Sequence, residues 1–163
     1  MNTINPPGDE EACARFLGNI LEKAKFSVSL HPFGEKRASL VARIGGNSTK
    51  KALCITGHID TVPLGATGWT KDPFAGETAA GRLFVRGTSA MKCGVAAFVT
   101  AAIELSDRLS GTPGLELVIT AGEEVGCQGA FDLVRQQGAL GRAGAVLVGE
   151  PTSNFPFVGQ KGA

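Results

Sequence analysis

The sequence predicts an α/β protein, a mixed and largely parallel sheet flanked by helices. Three observations point there. Short apolar runs of strand length recur along the chain, and in its second half they alternate with helical patterns, as strands joined by crossover helices do. Polar clusters follow three of these runs, the position at which open α/β sheets build their sites. Glycine is abundant, at 23 residues, while aromatic residues make up only 6%. That balance suits tight strand-to-loop turns and disfavours stacking platforms for single-stranded nucleic acid.

Taken in order, Pro6-Pro7-Gly8 breaks regular structure, and Asp9-Glu10-Glu11 place negative charge at a helix start. Phe16, Leu17, Ile20 and Leu21 continue at helical spacing, so a helix is expected over residues 9–24. Residues 26–30 and 38–44 read as strands, with Gly45-Gly46-Asn47 as a turn. A buried strand is expected over 51–56. Residues 62–82, punctuated by Pro63, Gly65, Gly68, Pro73, Gly76 and Gly81, read as a long loop of the kind that often carries function. A short strand at 83–85 precedes an Ala-rich stretch, 91–109, apolar on most faces and expected to be a buried helix. After the turn Gly111-Thr112-Pro113-Gly114 come a strand at 115–120, a helix at 129–137 and a strand at 143–148. There are no repeats.

The chain of 163 residues is long enough for one domain with a hydrophobic core. A net charge of +1 gives no strong attraction to nucleic acid or anionic membranes. No apolar stretch reads as long enough to span a bilayer, and residues 1–11 are polar and acidic, unlike a signal peptide. Cys13, Cys54, Cys93 and Cys127 form no CxxC pair and read as free thiols. The expectation is a cytoplasmic protein with neither nucleic acid nor membrane as partner.

His58 and Asp60 follow the 51–56 run, Glu123 and Glu124 follow 115–120, and Glu150 follows 143–148. Residues two apart on extended backbone face one side, so Asp60 can lie beside His58 and fix its tautomer. One imidazole and three glutamates converging at the strand ends form a donor set for zinc or a similar divalent ion. Two adjacent carboxylates repel unless something positive offsets them. A metal would do so, leaving one glutamate to ligate it and the other to move a proton. Gly122 and Gly126 let the backbone turn so that both face one cavity.

Each cluster taken singly has an ordinary reading: a surface His–Asp pair, a solvated Glu-Glu face, a turn at Glu150-Pro151. Their shared position after strands favours the joint reading. Ser89 could instead pair with His58 and Asp60 as a serine nucleophile. However, Gly87-Thr88-Ser89-Ala90-Met91 lacks the second glycine of a nucleophile elbow, and a helix cap at Thr88 or Ser89 fits better. No Gly-Lys-Ser/Thr phosphate loop occurs, and Gly45-Gly46-Asn47-Ser48 reads as a hairpin turn. His31 reads as a strand-end residue, Cys93 as packing, and Lys92 as a structural salt bridge before an anion contact.

Gly57-His58-Ile59-Asp60-Thr61-Val62-Pro63 resembles the first motif of the dinuclear-zinc amidohydrolases and peptidases, the family of acetylornithine deacetylase, succinyl-diaminopimelate desuccinylase, aminoacylase and glutamate carboxypeptidase. Trp69-Thr70-Lys71-Asp72-Pro73-Phe74, Gly122-Glu123-Glu124 and Gly149-Glu150-Pro151-Thr152 resemble its deacetylase and desuccinylase branch, and the likeness covers nearly the whole chain. The resemblance implies that His58 and Glu150 ligate one metal and Glu124 the second. Asp60 would orient His58, and Glu123 would be the general base and acid. It implies two zinc ions per intact site, with cobalt or manganese as alternatives. The implied reaction is hydrolysis of the N-acyl bond of a small-molecule N-acyl amino acid, with acetylornithine deacetylase as the nearest type.

Two departures matter. The family's third motif runs Gly-Arg-Gly-x-x-Asp-x-Lys-Gly-Gly, and its Asp bridges the two metals. Here Ala90 stands in that place, and a methyl group ligates nothing. Family members are also more than twice as long, inserting a lid and dimerisation domain and returning with a further histidine ligand. Residues 1–163 are therefore expected to be the N-terminal segment of a catalytic domain, inactive or nearly so as given, with a metal site that the change at Ala90 can leave empty. A full-length member would be a homodimer, while this segment would self-associate through uncovered apolar surface or need its missing half. The second reading is a degenerate or truncated relative acting as a binding module. Retention of His58, Asp60, Glu123, Glu124 and Glu150 speaks against it.

Overall fold

The computed structural model describes residues 1–46 and 49–159. Helix α1 spans Glu11–Lys23, two residues inside the expected start. Glu11 supplies the acidic first turn and pairs with Arg15 at 2.6 Å, an i,i+4 contact. Ala14 and Leu21 face the core. The helix closes through Lys25, whose φ of 68° lets the Phe26 N–H return to the Leu21 carbonyl.

Strands β1 (Ser27–Gly34) and β2 (Arg37–Ile44) form an antiparallel hairpin. β1 runs four residues past the expected end, because it is the edge strand of the sheet, and there the missing N–H of Pro32 costs no ladder bond. His31 thus lies inside β1, not at a strand end. It is held by Ser29 Oγ at 2.9 Å and Gln136 Oε1 at 2.7 Å. Of the expected turn, Gly45 and Gly46 have φ of 77° and 93°, while Asn47 and Ser48 lie outside the described residues.

The main sheet continues with β3 (Leu53–His58), β6 (Leu115–Thr120) and β7 (Ala145–Val148), in the order β1-β2-β6-β3-β7. β3 runs parallel to both neighbours, β6 and β7, and β2 runs antiparallel to β6. The mixed sheet read from the sequence is found, with the hairpin as its antiparallel part. β6 lies at the centre and all six of its residues are buried.

Side chains alternate between two faces, as the pleat requires. On one face Leu40, Ala42, Leu117 and Ile119 pack against Leu21 of α1 and Phe98 and Ala102 of α2 (Cys93–Leu105). On the other, Val41, Cys54 and Val118 pack against Leu133 of α3 (Gln128–Arg135). Both faces therefore carry helices, as expected.

The stretch 91–109 is not one buried helix. An irregular turn, Thr88–Lys92, precedes α2, with non-helical backbone at Ala90 and Met91, and a short 3-10 turn follows at Ser106–Arg108. Thr88 does not cap it: its hydroxyl donates to the Val85 carbonyl at 2.6 Å. Against the sequence expectation, Thr88–Arg108 is long and apolar enough to cross a membrane by length and composition. Val95, Phe98, Val99 and Ala102 nevertheless lie in the core on the sheet, where a core helix puts its apolar face. The opposite side leaves Ala97, Ala101 and Leu105 along an apolar groove of about 690 Å³ beside Leu53 and Leu147.

Two elements differ more. The long loop contains a strand, β4 (Glu77–Ala79), paired with β5 (Arg82–Phe84) and joined to the loop by a Lys71–Glu77 ion pair. β7 is an exposed edge, with Val146, Leu147 and Val148 each more than half exposed.

Candidate metal centre

β3 delivers His58 to the carboxyl end of the sheet. The imidazole is 3% exposed, and the backbone N–H of His58 donates to Met91 Sδ at 3.1 Å. A Cβ at Gly57 would overlap the end of the fully buried Met91 side chain, so any larger residue here requires Met91 to shift. The chain then crosses the end of β6, with the Ile59 N–H on the Thr120 carbonyl, and buries Asp60 completely.

Asp60 is the hub of the site. Its Oδ1 lies 3.2 Å from His58 Nδ1 and accepts the Glu123 backbone N–H at 3.0 Å. Its Oδ2 accepts Asn5 Nδ2 at 2.9 Å and the Glu124 backbone N–H at 3.0 Å. The Asp60 carbonyl lies 3.1 Å from the same His58 nitrogen. Both oxygens near Nδ1 can only accept, so the proton of the neutral imidazole sits on Nδ1 and the Nε2 lone pair faces outward.

The carboxylates gather around Nε2. Glu123 Oε2 lies 3.6 Å away and Glu150 Oε1 3.4 Å away. Ligand atoms of His58, Glu123 and Glu124 all fall within 4.8 Å of one another. Gly122, at φ 70°, turns the chain after β6, and Arg37 fills the space where its side chain would stand. Glu150 is fixed from the other side, because the Gly149 N–H closes on the Thr56 carbonyl at 2.9 Å. Thus His58, Glu123 and Glu124 come together, with Asp60 behind the imidazole and Glu150 beside Nε2 but outside that three-residue group. Ala90 is exposed and directly precedes Met91, which packs under His58. Cys93 is exposed. Lys92 makes no salt bridge among the described residues, and its Nζ donates to the Met1 carbonyl at 3.2 Å.

Proton affinities follow this geometry. Burial would raise the Asp60 pKa, but the bonds from His58, Asn5 and the two backbone N–H groups override it and hold the carboxyl far below its usual range. Burial pulls His58 down, yet the bond and charge of Asp60, with Glu150 and Glu123, leave its pKa raised. Glu124 and Glu150 are both raised, chiefly by burial and then by neighbouring carboxylates, against the opposing charge of His58.

The chain matches the model of peptidase family M20/M25/M40 over residues 54–157. This chain belongs to that family. It is 36% identical over 155 residues to a probable succinyl-diaminopimelate desuccinylase of Staphylococcus epidermidis, covering 94% of this chain and 37% of the relative. It is 40% identical over 156 residues to a succinyl-diaminopimelate desuccinylase of Rhodospirillum centenum, covering 90% and 39%. Among solved structures it superposes on an M20 metallo-carboxypeptidase from Sulfolobus solfataricus, with a TM-score of 0.77 at 23% identity, over 90% of this chain and 34% of that one. A dinuclear metal-binding M20 peptidase from Bacillus subtilis gives a TM-score of 0.62 at 18% identity, over 85% and 36%. The two structural likenesses show a shared fold. This M20 chain spans between a third and two fifths of the length of these relatives.

The sequence reading missed three contributors. Asn5, just before the structure-breaking Pro6-Pro7-Gly8, carries no pattern that singles it out. Met91 read as a helix residue. Arg37 binds the fully buried Glu10 at 2.7 Å and Gln128 Oε1 at 2.7 Å, tying the N-terminal segment to the helix after the Glu123-Glu124 turn.

Proposed function

We propose that this chain is the N-terminal catalytic segment of a metal-dependent amidohydrolase that cleaves the N-acyl bond of a small N-acyl amino acid. The observation that carries the reading is the outward Nε2 lone pair of His58, set by Asp60 and ringed by the carboxylates of Glu123, Glu124 and Glu150. One imidazole and several carboxylates suit zinc, and equally cobalt or manganese. The relatives named as desuccinylases favour a succinyl group over the acetyl group of the acetylornithine deacetylases.

His58 with Glu150 would hold one ion, and Glu124 would belong to a second. A bound divalent ion would polarise the acyl carbonyl and lower the pKa of the attacking water. Glu123 would take the proton of that water on its carboxylate and hand it to the departing amine nitrogen. Asp60 stays ionised and keeps the His58 proton on Nδ1 throughout. The family resemblance puts a metal-bridging aspartate at position 90, where Ala90 offers no ligand, so the segment as it stands would be inactive. The same residue favours a second reading, a binding module that keeps the fold without the chemistry.

Zinc titration calorimetry on the chain and on its Ala90→Asp variant tests this. Binding by both, at least about tenfold tighter in the variant, is the expected result. Absence of binding in both would remove the metal reading and leave the binding-module alternative.

A further inference from the structure

The N-terminal segment runs beside residues 59–61 as an extra strap on the site. The Asn5 N–H donates to the Thr61 carbonyl at 2.8 Å, and the Thr61 N–H donates to the Thr3 carbonyl at 3.0 Å. The Thr3 hydroxyl donates to the Ile59 carbonyl at 2.6 Å. Thr3 is 1% exposed and Asn5 3% exposed. This places the Asn5 amide against Asp60 Oδ2 at 2.9 Å, the only side-chain donor on that oxygen among the described residues.

We infer that Asn5 is a positioning residue of the metal centre, acting through Asp60 on the tautomer and orientation of His58. Asp60 has four donors on two oxygens, and two of them are backbone groups fixed by the turn after β6. Asn5 supplies the side-chain bond on Oδ2, while Oδ1 lies against His58 Nδ1. Without it the buried carboxylate keeps its charge but loses one of the bonds that set its plane. It then rotates toward a replacement donor, and His58 loses the acceptor that keeps its proton on Nδ1. Thr3 lies in the same strap and is equally buried, but its hydroxyl bonds to a backbone carbonyl and not to Asp60. The inference rests on His58 as a metal ligand only for its second readout.

The test compares the parent chain with Asn5→Ala, with Asn5→Leu, which keeps the volume without a donor, and with Thr3→Val as a strap control. The first readout is the imidazole nitrogen spectrum of the metal-free protein at alkaline pH, where neutral His58 reports its tautomer. The chain has two histidines, so His31 serves as an internal reference. The second readout is zinc affinity. The expected result is a single Nδ1-protonated pattern for His58 in the parent and in Thr3→Val, a mixture in both Asn5 variants, and zinc affinity reduced about tenfold or more in those variants alone. An unchanged His58 pattern in the Asn5 variants overturns the inference, and so does an equal change in Thr3→Val. If the parent binds no zinc, the tautomer readout alone decides the role of Asn5.

Discussion

Asp60 and Glu123 are 63 residues apart in the chain, yet the Glu123 backbone N–H donates to Asp60 Oδ1 at 3.0 Å. One carboxylate therefore fixes both the imidazole and the turn that carries the glutamate pair. Replacing it with alanine strands the donors of His58, Asn5, Glu123 and Glu124 in a buried site, and about 3 kcal/mol or more of stability should be lost.

The pH dependence has a definite sign. The folded pKa of Asp60 lies below its ordinary value of 3.8. Its contribution is complete above that value and is lost as pH falls through the folded pKa. Urea unfolding between neutral and strongly acidic pH should lose less stability in Asp60→Asn than in the parent. Equal losses would contradict this role.

Glu124 behaves in the opposite sense. Burial and neighbouring carboxylates raise its folded pKa above the ordinary 4.5. The folded state then binds more protons than the unfolded one, so stability declines as pH rises from the ordinary value through the folded one. Glu124→Gln should raise the melting temperature of the metal-free chain slightly at neutral pH while weakening zinc binding at least about tenfold. Calorimetry gives both numbers, and a lower melting temperature would refute the argument.

Gly94 of α2 faces the Gly149 carbonyl so closely that a Cβ would overlap it. Gly94→Ala must push α2 away from the segment that carries Glu150. A cost of about 1–3 kcal/mol follows. Zinc affinity should fall with it, whereas alanine at the exposed neighbour Cys93 should change neither quantity.

The β7 edge carries Ala145, Val146, Leu147 and Val148 with no charge or proline to deter pairing. The chain should self-associate at high concentration, and Val146→Lys should reduce that association. Size-exclusion chromatography with light scattering distinguishes the cases; a monomeric parent chain would remove the prediction.

Much of this architecture was legible because local signals agreed. β6 was bounded correctly, since a run of strand length rich in Leu, Val and Ile lies between a Pro-Gly turn and Gly122. The exposure of β7 was not legible, because the same apolar pattern describes a central strand and an uncovered edge. The strand read at 83–85 is β5, one residue earlier, whereas β4 escaped because a three-residue strand in a Gly-rich loop carries no periodicity. The helix start at Glu11 shifted because Glu10 turns inward to Arg37 instead of capping.

The sequence by itself determined the α/β class and the family, and it singled out His58, Asp60, Glu123, Glu124 and Glu150 as candidates. Strand-end position and motif order are one-dimensional facts. The tertiary structure alone decided how those residues are held. The buried Asp60 has four donors: His58 two residues away, and three more from two distant segments, the turn after β6 and an N-terminal strap whose role no local pattern announces. Hydrogen bonds between groups so far apart depend on how the sheet brings its ends together, and that is set by packing.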